Sequence, residues 1–395
     1  MSSAGDPSAG SASGHIGVVG VPPHADRAIA PGIASIVELS TVCVPNTTTD
    51  DDPRLGPYKP HLYPTRYHMP QTPEPAGSAE IGGQSSSLPA LSAAMSTQPV
   101  AFLICVEHGR LESEAVLLVE SLRQWGGALA DAPVYAFAPR PALYPEPATV
   151  ERLRSLGATV VDEALVDRFA EMPTFNKVSV SAWAERELDY EFLVFTDSDT
   201  VFLGEPAALA EGDWVAAVRP VDRRIAGSKG KGRNEPFWRK MYAELGVTEE
   251  PFTETTVGQM RIRAYWNTGL VAVRRSAGLF AAWEEALGRL FDAEIVQKRW
   301  PQFMDQLSWA GVTANVHERV RVLSDAYNYP FRHRQALVPA ARNLDLPEIV
   351  HVHYRLSFHV PDALSAADPP FDPAGDRYRW LADRLPIEPI VDREE

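Results

Sequence analysis

Two carboxylates one residue apart, Asp197 and Asp199, close an apolar run, and no other residues in this chain suggest chemistry as directly. Extended residues i and i+2 point the same way, so both acids can reach one hard cation through oxygen. Upstream, Lys177 offers a cation. Downstream, Asp305-Gln306 and two imidazoles, His351 and His353, offer further polar groups. The same Asp-Ser-Asp also fits a solvated turn, because Asp and Ser are common turn residues. What positions the pair decides between the two.

The run Phe192–Phe195 has the length and composition of a strand buried on both faces. In open α/β sheets ligands sit just beyond the carboxyl ends of such strands, so acids placed there face a ligand. The preceding chain alternates strand and helix signals. Ala101–Val106 is a continuous apolar strand, and Leu111, Ala115, Leu118, Leu122 and Trp125 recur at helical spacing until Gly126-Gly127. Pro133–Ala138 reads as a strand, Val150–Leu156 as a helix ending at Gly157, Ala158–Val161 as a third strand, and Asn176–Glu187 as a helix leading into the central one. This order predicts an α/β, Rossmann-like fold with a mostly parallel central sheet and right-handed crossovers. The Gly-x-Gly-x-x-Gly turn of dinucleotide folds is missing; Cys105-Val106-Glu107-His108-Gly109 follows the first strand instead.

Beyond Leu203 the pattern predicts a strand at Trp214–Val218, then Arg219–Lys240, where eight Lys or Arg residues and three glycines fit either a solvated insertion or a lid carrying positive charge over an anionic ligand. A strand at Leu270–Val273 follows Trp266-Asn267-Thr268-Gly269, and a helix spans Ala277–Val296. Phe303-Met304-Asp305-Gln306 opens another helix. Ile349–Tyr354 alternates as a last strand with both histidines on one face, and Tyr378–Leu385 reads as a terminal helix.

Bulk properties narrow the function. A chain of 395 residues, 45% hydrophobic, can bury a full core. Its net charge of -15 argues against nucleic acid and anionic membranes as partners. No apolar run reaches the roughly 20 residues of a membrane span, and no secretory signal opens the chain, which predicts a cytoplasmic protein. Cys43 and Cys105 are the only cysteines, too few for a disulfide framework. Over a third of the 34 prolines fall in residues 1–97, a Ser/Ala/Gly/Pro-rich stretch that reads as a disordered leader before a domain at 98–390. Met95, just before the first strand, is an alternative start, with the leader then an artefact of the gene boundary.

Four landmarks, in order across roughly residues 99–360, resemble the retaining glycosyltransferases of GT-A fold that include glycogenin and the bacterial lipopolysaccharide galactosyltransferases. They are Phe175-Asn176-Lys177 opening the helix before the central strand, the strand ending in Asp197-Ser198-Asp199, the turn Trp266-Asn267-Thr268-Gly269, and Asp305-Gln306 together with the His-bearing last strand. The family's closing His-(Phe/Tyr)-x-Gly-x-x-Lys segment matches imperfectly. Registering on His353-Tyr354 puts Leu356 at the Gly and His359 at the Lys, leaving the diphosphate contact to His359 or Arg355, whereas registering on His351 puts Ser357 at the Lys.

The resemblance implies a transferase that moves a sugar from a nucleotide-diphosphate donor to an acceptor not named by the sequence, with retention of anomeric configuration. It implies catalytic positions at Asp197, Asp199 and Asp305 and a divalent ion on Asp197, Asp199 and either His353 or His351. It places Lys177, Asn267, Gly269, Gln306, Arg355 and His359 around the donor. Oxygen ligands favour Mn²⁺ or Mg²⁺, and an added imidazole tilts the choice toward Mn²⁺. Taken singly, the residues allow other readings: Asn267-Thr268-Gly269 as a turn with an unusual glycine angle, Asp305 as a helix-start carboxylate, the histidines as core residues. Asp197-x-Asp199-x-Val201 also fits a haloacid-dehalogenase-type phosphatase, with Asp197 as nucleophile and Asp199 as acid/base, although that motif normally ends its domain's first strand. A sugar-nucleotide-binding protein without catalysis is a third reading.

Overall fold

The computed structural model describes residues 99–388 except 167, 170, 171, 173, 223–225 and 299, so the expected leader lies outside the described residues. The first half runs β1 (Val100–Cys105), α1 (Arg110–Trp125), β2 (Val134–Phe137), α2 (Pro147–Ser155), β3 (Ala158–Val161), α3 (Phe175–Glu187), β4 (Phe192–Thr196) and β5 (Thr200–Phe202). The second runs β6 (Ala216–Arg219), α4 (Glu235–Glu244), β7 (Phe252–Glu254), β8 (Arg261–Arg263), β9 (Asn267–Arg274), α5 (Leu279–Asp292) and α6 (Met304–Ala314). It closes with β10 (Val320–Val322), β11 (Tyr329–Pro330), α7 (Pro339–Arg342), β12 (His351–His353) and α8 (Asp376–Ala382).

Seven strands form the central sheet in the order β10-β6-β9-β4-β1-β2-β3. Every pairing is parallel except those of β9, which runs antiparallel to both β4 and β6. The fold is therefore α/β with a mostly parallel sheet, as expected. Side-chain alternation divides the core. Ala101, Leu103, Cys105, Leu193 and Phe195 face one layer, with Trp238, Trp283 and Trp309 from α4, α5 and α6. Val100, Phe102, Ile104, Phe192 and Val194 face the other, with Leu118 and Leu122 of α1 and Leu153 of α2. Burial on both faces is what the uninterrupted apolar runs of β1 and β4 signal.

Three details depart from the sequence expectations. Arg219–Lys240 is not one loop: Arg219 ends β6, is mostly buried and pairs with Asp325, and α4 begins at Glu235 with its Trp238 wholly buried. Asn267-Thr268-Gly269 is not a turn but the start of β9, and Gly269 does not adopt a positive φ. A three-stranded sheet, β11-β12-β5, went unread; β12 runs parallel to β11 and antiparallel to β5.

One buried carboxylate fixes the start of the first crossover. Glu112 accepts from the Gly109 N–H at 2.8 Å, the Glu146 N–H at 2.8 Å and the Thr149 hydroxyl at 2.6 Å, which ties the turn after β1 to the start of α2. Hydrogen bonds to a charged group are each worth about 1.5–3 kcal/mol, and a buried donor left unmatched costs its desolvation. Glu112→Ala is expected to lower unfolding free energy by about 2–3 kcal/mol in urea titrations; an unchanged midpoint would show the carboxylate to be idle.

Candidate metal and donor site

The site forms where β4 ends. Backbone and hydroxyl groups hold the Asp-Ser-Asp turn: the Asp197 N–H donates to the Gly269 carbonyl at 3.0 Å, the Thr200 hydroxyl to the Asp197 carbonyl at 2.6 Å, and the Ser198 hydroxyl to the Cys105 carbonyl. After this turn β5 pairs with β12, His353 opposite Thr200 and His351 opposite Phe202. The Asp199 carbonyl continues that ladder by accepting from the Tyr354 N–H at 3.2 Å and the Arg355 N–H at 3.4 Å.

Pairing brings the ligating atoms of Asp197, Asp199 and His353 within 4.8 Å of one another, the one such group of three or more among the described residues. His353 Nε2 stands 3.3 Å from Asp199 Oδ1. Burial alone would raise the Asp199 pKa, but the His353 imidazole, then Arg355 and Arg110, outweigh it and hold the carboxyl well below its usual range. Asp199 is thus an anion, as a ligand oxygen must be. His351 lies outside the group. Its ring is wholly buried against Phe202 at 4.8 Å between centroids, its Nε2 is 3.0 Å from the Thr196 hydroxyl, and burial, reinforced by His353, lowers its pKa to about 3. It is a neutral core imidazole one pleat deeper than the acids.

Lys177, projecting from the first turn of α3, places Nζ 2.6 Å from Asp197 Oδ1 and 3.6 Å from Asp305 Oδ2. Burial lowers its pKa, but Asp197 and then Asp305 reverse that and raise it, so the ammonium stays charged. Asp305 is wholly buried; Oδ2 accepts from the Thr268 hydroxyl at 2.6 Å, and Oδ1 has no hydrogen-bond partner among the described residues. Burial raises its pKa against the pull of Lys177. Gln306 beside it is also buried. Asn267, His353 and Arg355 line a recess with Arg332 and His333.

Two expected donor residues are placed otherwise. His359 Nε2 lies 2.9 Å from buried Glu114 and Nδ1 lies 3.0 Å from the Ile387 carbonyl, so its ring ties α1 to the C-terminal segment. Gly269 offers no side chain, and none would fit: a Cβ there would meet His353 Cε1 at 2.5 Å. Sequence reasoning passed over three groups. Glu107 after β1 accepts from Arg140 Nε at 2.7 Å and Asn176 Nδ2 at 3.1 Å, Arg110 acts on Asp199, and Asn328 touches His353. The departure of Cys105–Gly109 from the glycine-rich turn was a usable hint to Glu107. Asn328 gave none.

An α/β sheet with two acids and an imidazole gathered at the end of its central strand is an architecture suited to glycosyl transfer, and the family comparison agrees. The Rhodobacterales glycosyltransferase domain family matches residues 102–316, more than half of the chain. The chain belongs to that family and is a glycosyltransferase; nothing in the comparisons supports the phosphatase. No curated protein matches at the sequence level. Similar solved structures include the apo form of WbbM, a bifunctional glycosyltransferase, at 13% identity and TM-score 0.43 over 73% of this chain and 52% of that one. Galactosyltransferase LgtC, in complex with donor and acceptor sugar analogues, is similar at 14% identity and TM-score 0.46 over 74% of this chain and 98% of that one. The chain thus spans about half the length of WbbM. Among the described residues no helix is long and apolar enough to cross a membrane.

The tight contact at Gly269 is testable. Gly269→Ala is expected to push the His353 ring aside, costing about 1–3 kcal/mol of stability and weakening Mn²⁺ binding about tenfold or more. Thermal melts and Mn²⁺ titration read the two effects separately, and unchanged Mn²⁺ affinity would mean that the ring is not a ligand.

Proposed function

We propose that this glycosyltransferase moves a sugar from a nucleotide-diphosphate donor to an acceptor, using a divalent cation, Mn²⁺ or Mg²⁺, held by Asp197, Asp199 and His353. The observation that carries the reading is the convergence of those three side chains from two elements distant in sequence. Their donor set of two carboxylates and one imidazole fits a hard-to-borderline ion, with the imidazole favouring Mn²⁺. When bound, such an ion neutralises the negative charge that gathers on a departing diphosphate.

The protein's own residues do the rest. Lys177 offsets one carboxylate charge and holds Asp197 in place through its 2.6 Å contact. Arg110 and Arg355 add positive charge beside Asp199, and Arg355 and Arg332 carry it into the recess. Positive side chains thus stand where a diphosphate would bind, in a protein whose net charge is -15. Asn267, Asp305 and Gln306, buried beyond the acids, are the polar groups available to sugar hydroxyls; hydrogen-bonding sites discriminate hydroxyl patterns far better than apolar walls do. Retention of anomeric configuration belongs to this reading through the family resemblance, as do the donor-site roles of Lys177 and Arg355. The domain spans 98–390 in this reading.

Asp199→Asn is expected to retain the fold, by circular dichroism, while losing Mn²⁺-dependent binding of a nucleoside diphosphate and at least about 100-fold in transfer rate. Full activity in that variant sinks the metal reading. His353→Ala is expected to cost more transfer activity than His351→Ala, whose effect falls on stability; the reverse ranking would make His351 the ligand.

A further inference from the structure

Asn328, immediately before β11, is wholly buried and holds a φ of 47°. That left-handed backbone is one that Asn tolerates better than most residues with a side chain. Its amide makes two side-chain contacts: Nδ2 is 2.9 Å from Asn267 Oδ1, and Oδ1 is 3.0 Å from His353 Nδ1.

The direction of each hydrogen bond follows from a backbone group. The Gly269 N–H can only donate, and it reaches Asn267 Oδ1 at 3.0 Å, so the Asn267 atom there is the oxygen. The Asn328 atom facing that oxygen must then be its nitrogen, and Asn328 Oδ1 is left as a pure acceptor. His353 Nδ1 therefore carries a proton and donates it to Asn328 Oδ1. In the neutral ring this leaves the lone pair on Nε2, the atom 3.3 Å from Asp199 Oδ1. Between that lone pair and the carboxylate there is a place for one cation, a proton in the metal-free protein or a metal ion in its stead.

We propose that Asn328 is a positioning residue that fixes the tautomer and ring orientation of His353, presenting Nε2 as a metal ligand. The chain Gly269 N–H to Asn267, Asn267 to Asn328, Asn328 to His353 joins β9, β11 and β12, so the ligand's orientation is set by the assembly of three strands. Gly269 serves it twice, as the first donor and by leaving the imidazole room. The inference rests on the metal reading above, and its tests separate the two.

One measurement needs no variant: ¹⁵N NMR of histidine-labelled, metal-free protein should show His353 Nδ1 protonated, and an unprotonated Nδ1 overturns the proposal. A second uses Mn²⁺ titration followed by electron paramagnetic resonance with no donor present. Asn328→Gly, which keeps the backbone angle but removes both hydrogen bonds, is expected to weaken Mn²⁺ binding about 10–100-fold. Asn328→Asp, which keeps the acceptor for Nδ1 but sets a second oxygen against Asn267 Oδ1, is expected to recover part of that loss in Mn²⁺ affinity while lowering thermal stability. A merely structural Asn328 would lower thermal stability in both variants and leave Mn²⁺ affinity unchanged, overturning the proposal. If the wild-type protein binds no Mn²⁺, the metal reading fails and the ligand role falls with it, while the tautomer result still decides whether Asn328 sets the ring.

Discussion

The antiparallel pairing of β5 with β12 is the constraint on which the site depends. It is only three residues long, yet it brings together the turn at the end of the central strand and a segment some 150 residues further on. His353 lands opposite Thr200, and the Asp199 carbonyl extends the ladder to Tyr354 and Arg355. A slip of one residue would turn both imidazoles to the other face. The apolar layer beneath, with Val201, Tyr329, Val352, Tyr354 and Phe358 all buried, resists such a slip.

Charge balance follows from that geometry. Two carboxylates with ligating oxygens within 4.8 Å of each other repel by roughly 3–4 kcal/mol at an effective dielectric near 20. Asp305 adds a third acid to the neighbourhood, and Lys177 sits against two of the three. One ammonium cannot offset three acids. Arg110 and Arg355 contribute from the periphery, and His353 meets Asp199 at 3.3 Å. In the proposed reading a divalent ion supplies the remaining positive charge.

Much of the scaffold was legible in the sequence because burial on two faces leaves a strong mark. Strands β1 and β4 are continuous apolar runs, and α1 and α5 carry their apolar stripe at helical spacing. The short strands β5, β7, β8, β10 and β11, of two or three residues each, leave no periodicity to count. The choice between His351 and His353 could not be made locally, since residues two apart share a face. Depth separates them, with the His351 ring wholly buried and tilted against Phe202 and the His353 ring beside Asp199. Gly269 read as a turn glycine because its real constraint, the nearness of an imidazole 84 positions away, is invisible in sequence. Asn328 is a lone polar residue whose meaning comes from Asn267, 61 residues earlier, and from His353.

The central claim is that Asp197, Asp199 and His353 hold a divalent ion that engages a diphosphate. Anomalous diffraction at the manganese edge, from crystals soaked with Mn²⁺ and a nucleoside diphosphate, tests it most directly. The account expects a single strong peak in contact with both carboxylates and His353 Nε2, with phosphate oxygens completing the coordination. A peak on His351, or a bound diphosphate with no metal between it and the two acids, would contradict it.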